Sequence, residues 1–431
     1  MSRLRATAGV GAAARLDHQP AAQGLDRQQE GDIVRGDATL GAAPTFAPGR
    51  LMRPTAGTLI TVATLFGAAG SAPAQATVSP AAGIRSALRV CAGGDVTLGT
   101  NLDTSWVYTP PRRRPGRPPP PRRRPGSIVA LPNPDSLLAP LRPLLRDADV
   151  ILINVEGAIG DGPAPRKCRE GSENCYAFRQ PPITAAAIRR LSDSAAVVGN
   201  LANNHAGDAG PEGLEITTRY LTDAGVLVTG VDTMVTPVVT RGGDTIAVLG
   251  FSTSAGPDPR DLDAVRRHVA RARARVPLVV VTMHMGAEGL GAQRTRDSTE
   301  LFLGLDRGNS VAFAHAAVEA GASLVVGHGP HVMRAAEWRG HALIFYSLGN
   351  LVTYGPFAHD EPLNRGAIAC AVLVPGAGVR DAALRSTVQR SPGFVRPDRS
   401  GRAATLVDSL SRLDFPSTGA RLVTEARVGR P

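Results

Sequence analysis

Eight apolar runs of four to eight residues punctuate residues 87 to 374, and stretches of helical period fall between several of them. That alternation constrains the fold most, because two parallel strands can be joined only by a crossover of about a dozen residues or more, usually a helix. The runs are 87–92, 150–153, 195–198, 245–251, 278–283, 323–326, 342–346 and 367–374, and helices are expected over 137–148, 184–192, 213–224, 261–274 and 311–320. The pattern predicts βαβ units and a largely parallel sheet. Asp223-Ala224-Gly225 and Glu319-Ala320-Gly321 place glycine where a helix should close before the next strand. After Pro375 the pattern weakens to one short amphipathic helix and a terminal strand pair, so the folded core is expected from residue 86 to about 430.

Six runs stop at polar words: Gly94-Asp95, Asn154-Val155-Glu156, Asn203-Asn204-His205, His284-Met285-Gly286, His328-Gly329-Pro330-His331 and Ser347-Leu348-Gly349-Asn350. Loops after parallel strands are where such folds place ligands, and carboxylate, imidazole and amide oxygen are donors for divalent cations. Each word has a plain structural reading. Gly-Asp is common in turns, a lone histidine is more often a satisfied core residue, and Glu156 alone reads as structural as readily as functional. Together they say more. A carboxylate ending a buried strand needs a cation or a donor, two amides and an imidazole at 203–205 have no packing purpose, and Gly329-Pro330 stiffens a turn that can aim His328 and His331 at one region.

Composition excludes one class of partner. The formal charge of +11 invites a nucleic-acid reading, but seven of those charges are Arg112, Arg113, Arg114, Arg117, Arg122, Arg123 and Arg124, in one insert without acidic residues. The rest is near neutral, whereas a nucleic-acid face would spread basic residues with aromatics interleaved. The insert reads PPRRRPG at 110 and again at 120. Proline density favours polyproline II, which would let residues 110–126 reach about 50 Å. It is a tolerated low-complexity expansion or, more sharply, an electrostatic arm for an anionic polymer.

Residues 52–76 have the layout of a secretory signal peptide: a basic residue after Met52, an apolar run over 56–69, and Ala74-Gln75-Ala76 at the cleavage spacing. Because such a signal belongs at the extreme N-terminus, translation is expected to start at Met52, with residues 1–51 an upstream extension. The mature body, residues 77–431, is expected outside the cytoplasm: periplasmic, secreted or at the cell surface, or tethered by an uncleaved signal-anchor. Cys168 and Cys175, in a polar loop, are expected to form a local disulfide there. Cys91 and Cys370 lie in apolar runs and read as buried thiols, with pairing between them left open.

The segments GDVTLG from Gly94, NVEGAI, LANNHAGDAGPEGLEITTRYLTDAGV, HMGAEG, AGASLVVGHGPHV and IFYSLGN resemble the CapA family of poly-γ-glutamate capsule proteins over about residues 87–375. That family is similar to calcineurin-like metallophosphoesterases. The resemblance implies an α/β fold, a four-layer α/β/β/α sandwich, with metals at the strand ends. It implies Asp95, Glu156 and His331 as ligands of one cation and Glu156, Asn204, His284 and His328 as ligands of a second. His205 would be the proton donor, and Asn154, Asn203 and Asn350 would line the rim. Two cations about 4 Å apart would polarise the substrate and activate a water. The donor set suits Mn, Zn or Fe better than Mg, as one ion or two. Metallophosphoesterases at large carry a histidine where this chain has Thr97, aspartate where it has Glu156, and one residue rather than two between the last histidines. The function implied is that of an exported metal-dependent hydrolase-like protein of poly-γ-glutamate synthesis or export, acting on a phosphoester or an amide of the polymer. The alternative is a non-catalytic polyglutamate-binding subunit of a membrane synthase.

Overall fold

The computed structural model describes residues 87–98, 132–160, 176–355, 357–423 and 427–431. The expected start at Met52, the signal peptide, the Pro/Arg insert and the Cys168–Cys175 pair all lie outside those residues. The parallel strands fall into two groups. Strands β1 (Leu88–Leu98), β2 (Val150–Val155), β3 (Ala196–Asn200) and β4 (Leu227–Thr229) lie side by side in one sheet. Strands β5 (Thr245–Ser252), β6 (Val279–His284), β7 (Leu324–His328) and β8 (Ala342–Phe345) lie side by side in a second.

The layering follows from a side-chain period of two on strands apolar on both faces. On β2, Val150 and Leu152 join the core shared by the two sheets, while Ile151, Ile153 and Val155 turn outward. On β7, Leu324 and Val326 face the shared core and Val325 faces out. Each Val or Leu buried this way contributes about 1.5–3 kcal/mol relative to exposure. Helices α1 (Pro134–Leu138), α2 (Ile183–Arg189) and α3 (Gly210–Asp223) cover the outer face of the first sheet through Leu137, Ile188 and Leu221. Helices α4 (Leu262–Arg273) and α5 (Ser310–Glu319) cover the second through Val265, Val269, Phe313 and Ala317. The result is the four-layer α/β/β/α sandwich.

Helix ends are set by local chemistry. The Asp261 carboxylate caps α4 by accepting from the Ala264 N–H, the Asn309 amide oxygen caps α5, and Gly225 and Gly321 follow α3 and α5 at φ +82° and +111°. One expected helix is much shorter than 137–148: Pro140 and Pro143 lack the N–H that an α-helix needs, and the chain passes into a 3₁₀ turn over Ala139–Leu144.

The first sheet is less parallel than expected. Strand β9 (Asn350–Tyr354) runs parallel to the end of β1, but β10 (Arg365–Val374) and the long β11 (Gly378–Arg390) are antiparallel additions. Helix α6 (Arg402–Asp414) and the paired strands Arg421–Val423 and Arg427–Gly429 complete the C-terminal region as expected. Cys91 and Cys370 stand opposite each other on β1 and β10 and form a disulfide across 279 residues, so they are not the buried thiols that the sequence suggested. Their pairing needs the β1–β10 register, which no local signal reveals. No helix among the described residues is long and apolar enough to cross a membrane.

Candidate metal centre

The first sheet supplies oxygen donors. Along β1 the neighbour changes at Gly93-Gly94, from β10 before it to β9 after it, and the register with β2 shifts at the same place. Only glycine fits at 94, since a Cβ there would meet the Gly349 carbonyl oxygen at 1.9 Å. This bulge turns Asp95 into the space between the sheets, with its N–H donating to the Gly349 carbonyl at 3.0 Å. Glu156 follows the end of β2, and both residues are almost wholly buried.

An amide network fixes the floor. Asn154 Oδ1 accepts from Asn200 Nδ2 at 3.0 Å and Asn203 Nδ2 at 3.1 Å. Its Nδ2 therefore faces Asp95 Oδ1 at 2.8 Å and His284 Nδ1 at 3.3 Å. A donor on that side makes His284 Nδ1 an acceptor and leaves the ring proton on Nε2, which points toward Glu156 Oε1 at 3.7 Å.

The second sheet supplies imidazoles. His284 and His328 end adjacent strands and pair in register, and both are buried. His328 Nδ1 lies 3.7 Å from Asp95 Oδ1. The turn after β7 places His331 at φ +57°, a conformation costing a non-glycine residue on the order of 1–3 kcal/mol. There its Nδ1 meets Asp95 Oδ2 at 2.9 Å and Asn350 Oδ1 at 3.1 Å, and its Nε2 faces Glu156 Oε1 at 3.7 Å. Asp95, Glu156 and His331 each offer a ligand atom within 4.8 Å of the others.

Electrostatics agree with a cation at this point. Burial and the nearby Asp95 carboxylate raise the Glu156 pKa well above its ordinary value. Burial would lower His331, but Glu156 and Asp95 push it up to about 10. Burial would raise Asp95, yet His331 and the two other imidazoles hold it well below the usual range. Burial pushes His328 down to about 4 and His284 well below its usual value. Neither carboxylate oxygen of Glu156, neither ring nitrogen of His328 nor Nε2 of His284 makes a hydrogen bond. Buried polar atoms left this way are costly. The buried Asp95 and Glu156 and the half-buried His331 fit a divalent cation, which would satisfy the carboxylate and take the place of the His331 proton.

The other expected residues sit around this group. His205 follows β3 and its Nδ1 lies 2.7 Å from Asp208 Oδ2, while the Phe178 ring stacks on the imidazole at 4.1 Å between centroids. Asn203 Oδ1 accepts the His205 N–H at 3.0 Å, linking that histidine to the amide network. Asn204 is half-buried beside it. Sequence reasoning missed three residues. Asp208 stands three positions after His205, a spacing that signals a histidine–carboxylate pair. Glu288, inside the HMGAEG segment, lies 3.8 Å from His331 Nε2 and 2.7 Å from the Arg307 guanidinium. Arg307, itself 3% exposed, carries no local signal because its partner comes from another loop.

A family model described as "Bacterial capsule synthesis protein PGA_cap" matches residues 89–354, a span containing every donor above. The chain is 25% identical over 235 residues to PGA biosynthesis protein CapA of Bacillus subtilis (strain 168), covering 51% of this chain and 57% of that one. It is 28% identical over 185 residues to capsule biosynthesis protein CapA of Bacillus anthracis, covering 38% and 42%. The chain thus spans about half the length of the curated relatives it matches. Among solved structures, TT1561 of Thermus thermophilus aligns at a TM-score of 0.32 and 12% identity, over 66% of this chain and 94% of that one. The fold assignment rests on the topology above.

Proposed function

This chain belongs to the bacterial capsule synthesis protein family, and on that premise we propose that it is an exported, metal-dependent hydrolase-like protein acting in poly-γ-glutamate synthesis or export. One observation carries the reading: donors from two sheets, the buried Asp95 and Glu156 and the half-buried His331, converge within 4.8 Å. Asp95, Glu156 and His331 would hold a Mn, Zn or Fe ion, which would supply Lewis-acid polarisation and activation of a water. His331 would bind it in the neutral form. Asn154 holds Asp95 in place. His205, its Nδ1 fixed by Asp208, presents Nε2 as the proton donor to a departing oxygen or nitrogen of a phosphoester or amide. Export is supported by the signal-like layout of residues 52–76 and by the Cys91–Cys370 disulfide, which suits an oxidising compartment.

A second reading, a non-catalytic polyglutamate-binding subunit of a membrane synthase, is favoured by two details. The Thr97 hydroxyl donates to the Glu156 carbonyl at 2.9 Å, and His284 carries its proton on the nitrogen that would bind a second cation. Both features weaken a two-metal centre. The deciding experiment supplies the purified protein with Mn²⁺ and p-nitrophenyl phosphate. Turnover that is lost in His205→Ala supports the hydrolase, whereas polyglutamate binding without turnover of phosphoester or polymer replaces it with the second reading.

A further inference from the structure

We propose that Glu288 is a further ligand of the cation, completing a shell of three carboxylates and one imidazole with Asp95, Glu156 and His331, and that Arg307 positions it. The inference rests on the metal-centre reading above and extends it to a residue outside the 4.8 Å group. Donors around one cation, each bonded at about 2.0–2.2 Å, lie roughly 3–4 Å from one another. His331 Nε2 has two carboxylate oxygens at that spacing, Glu156 Oε1 at 3.7 Å and Glu288 Oε2 at 3.8 Å. The other Glu288 oxygen, Oε1, is in an ion pair with the Arg307 guanidinium at 2.7 Å, outside hydrogen-bond geometry. A carboxylate serving Arg307 alone would gain most by giving it both oxygens in a fork. Here one is held and the other faces the cluster.

The loop carrying Glu288 is built to stay there. The Gly286 N–H donates to the Arg307 carbonyl at 2.9 Å, and the Gly289 N–H donates to the Pro330 carbonyl at 3.0 Å, one residue before His331. Glu300 accepts from the Ala287 N–H at 2.9 Å and grips the buried Arg334 at 2.6 Å and 2.7 Å. Three carboxylates and a single imidazole make the shell hard, a ligand set that suits Mn²⁺.

The test is a Mn²⁺ titration of the purified full-length protein, followed calorimetrically and by the electron paramagnetic resonance signal of free Mn²⁺. Glu288→Gln should bind at least about tenfold more weakly than the unaltered protein, with melting curves in EDTA establishing that both are folded. Anomalous scattering from Mn²⁺-soaked crystals of the unaltered protein gives an answer that needs no variant, with the ion expected in bonding contact with Glu288 Oε2. Equal affinity of the two proteins, or an ion bound to Asp95, Glu156 and His331 but clear of Glu288, overturns the inference and leaves the metal centre standing. If the unaltered protein takes up no Mn²⁺, Zn²⁺ or Fe²⁺, the metal-centre reading falls and Glu288 falls with it.

Discussion

The two sheets meet at one rim but bring opposite chemistry to it. Around the first lie the carboxylates of Asp95 and Glu156 and the amides of Asn154, Asn200 and Asn203, whereas around the second lie His284, His328 and His331. Neither half gathers a shell alone, so the centre is a product of the packing that buries the shared core. The halves also differ in charge. The first holds an ionised Asp95 beside a Glu156 that resists ionisation, and the second holds one protonated ring, His331, beside two that burial keeps neutral. The lesson is that the proton on His331 stands in for a cation, cancelling charge that the first sheet could not otherwise bury.

Removing the oxygen half should cost most. Asp95→Asn deletes the carboxylate charge facing all three rings, and Mn²⁺ affinity measured by calorimetry should fall at least about 100-fold; a smaller loss would mean that the imidazole half suffices. Replacing the one protonated ring comes next, with His331→Gln expected to weaken binding roughly 10- to 100-fold. It should also flatten two pH profiles of opposite slope. The His331 pKa of the folded protein, about 10, lies above its ordinary 6.5. In EDTA its contribution to stability is therefore full below about pH 6.5 and is lost as pH rises through about 10. Cation affinity climbs over the same window, because the proton must leave first. Melting curves and titrations from pH 6 to 10 check both slopes.

Asn154 links the halves, touching Asp95 on one and His284 on the other. Asn154→Leu should reduce affinity about tenfold and, by removing the acceptor that Asn200 and Asn203 share, reduce stability by about 1–3 kcal/mol in urea titrations. The smallest effect is expected at His284. With its proton on Nε2, His284→Gln should change affinity less than about threefold, and calorimetry should give one cation per chain before and after. A drop from two to one would show that the second sheet holds an ion of its own.

Much of this architecture was legible because its signals are local. Apolar runs alternating with stretches of helical period gave the parallel strands, and the polar words at their ends gave every ring and carboxylate of the 4.8 Å group. What stayed hidden depends on partners far apart in sequence. The run at 367–374 reads as a strand, but β11 falls where the pattern weakens and looks like tail until its pairing with β10 is known, and the cysteines of β1 and β10 look like isolated thiols until the β1–β10 register is known. Glu288 sat in a recognised segment, but its importance depends on Arg307 and His331, which reach it from two other loops. Asp208 was nearer to hand, since three residues from His205 is a distance that one turn of chain can close.

The bond between Cys91 and Cys370 joins the first described strand to one of the last. During synthesis the second thiol leaves the ribosome 279 residues after the first, when every residue of the metal rim, from Asp95 to Asn350, has already emerged. Oxidation of this pair can therefore follow only once the whole rim has been made. A chain locked at 91–370 has brought β10 alongside β1, and one stalled or truncated before residue 370 cannot acquire the lock however long it waits.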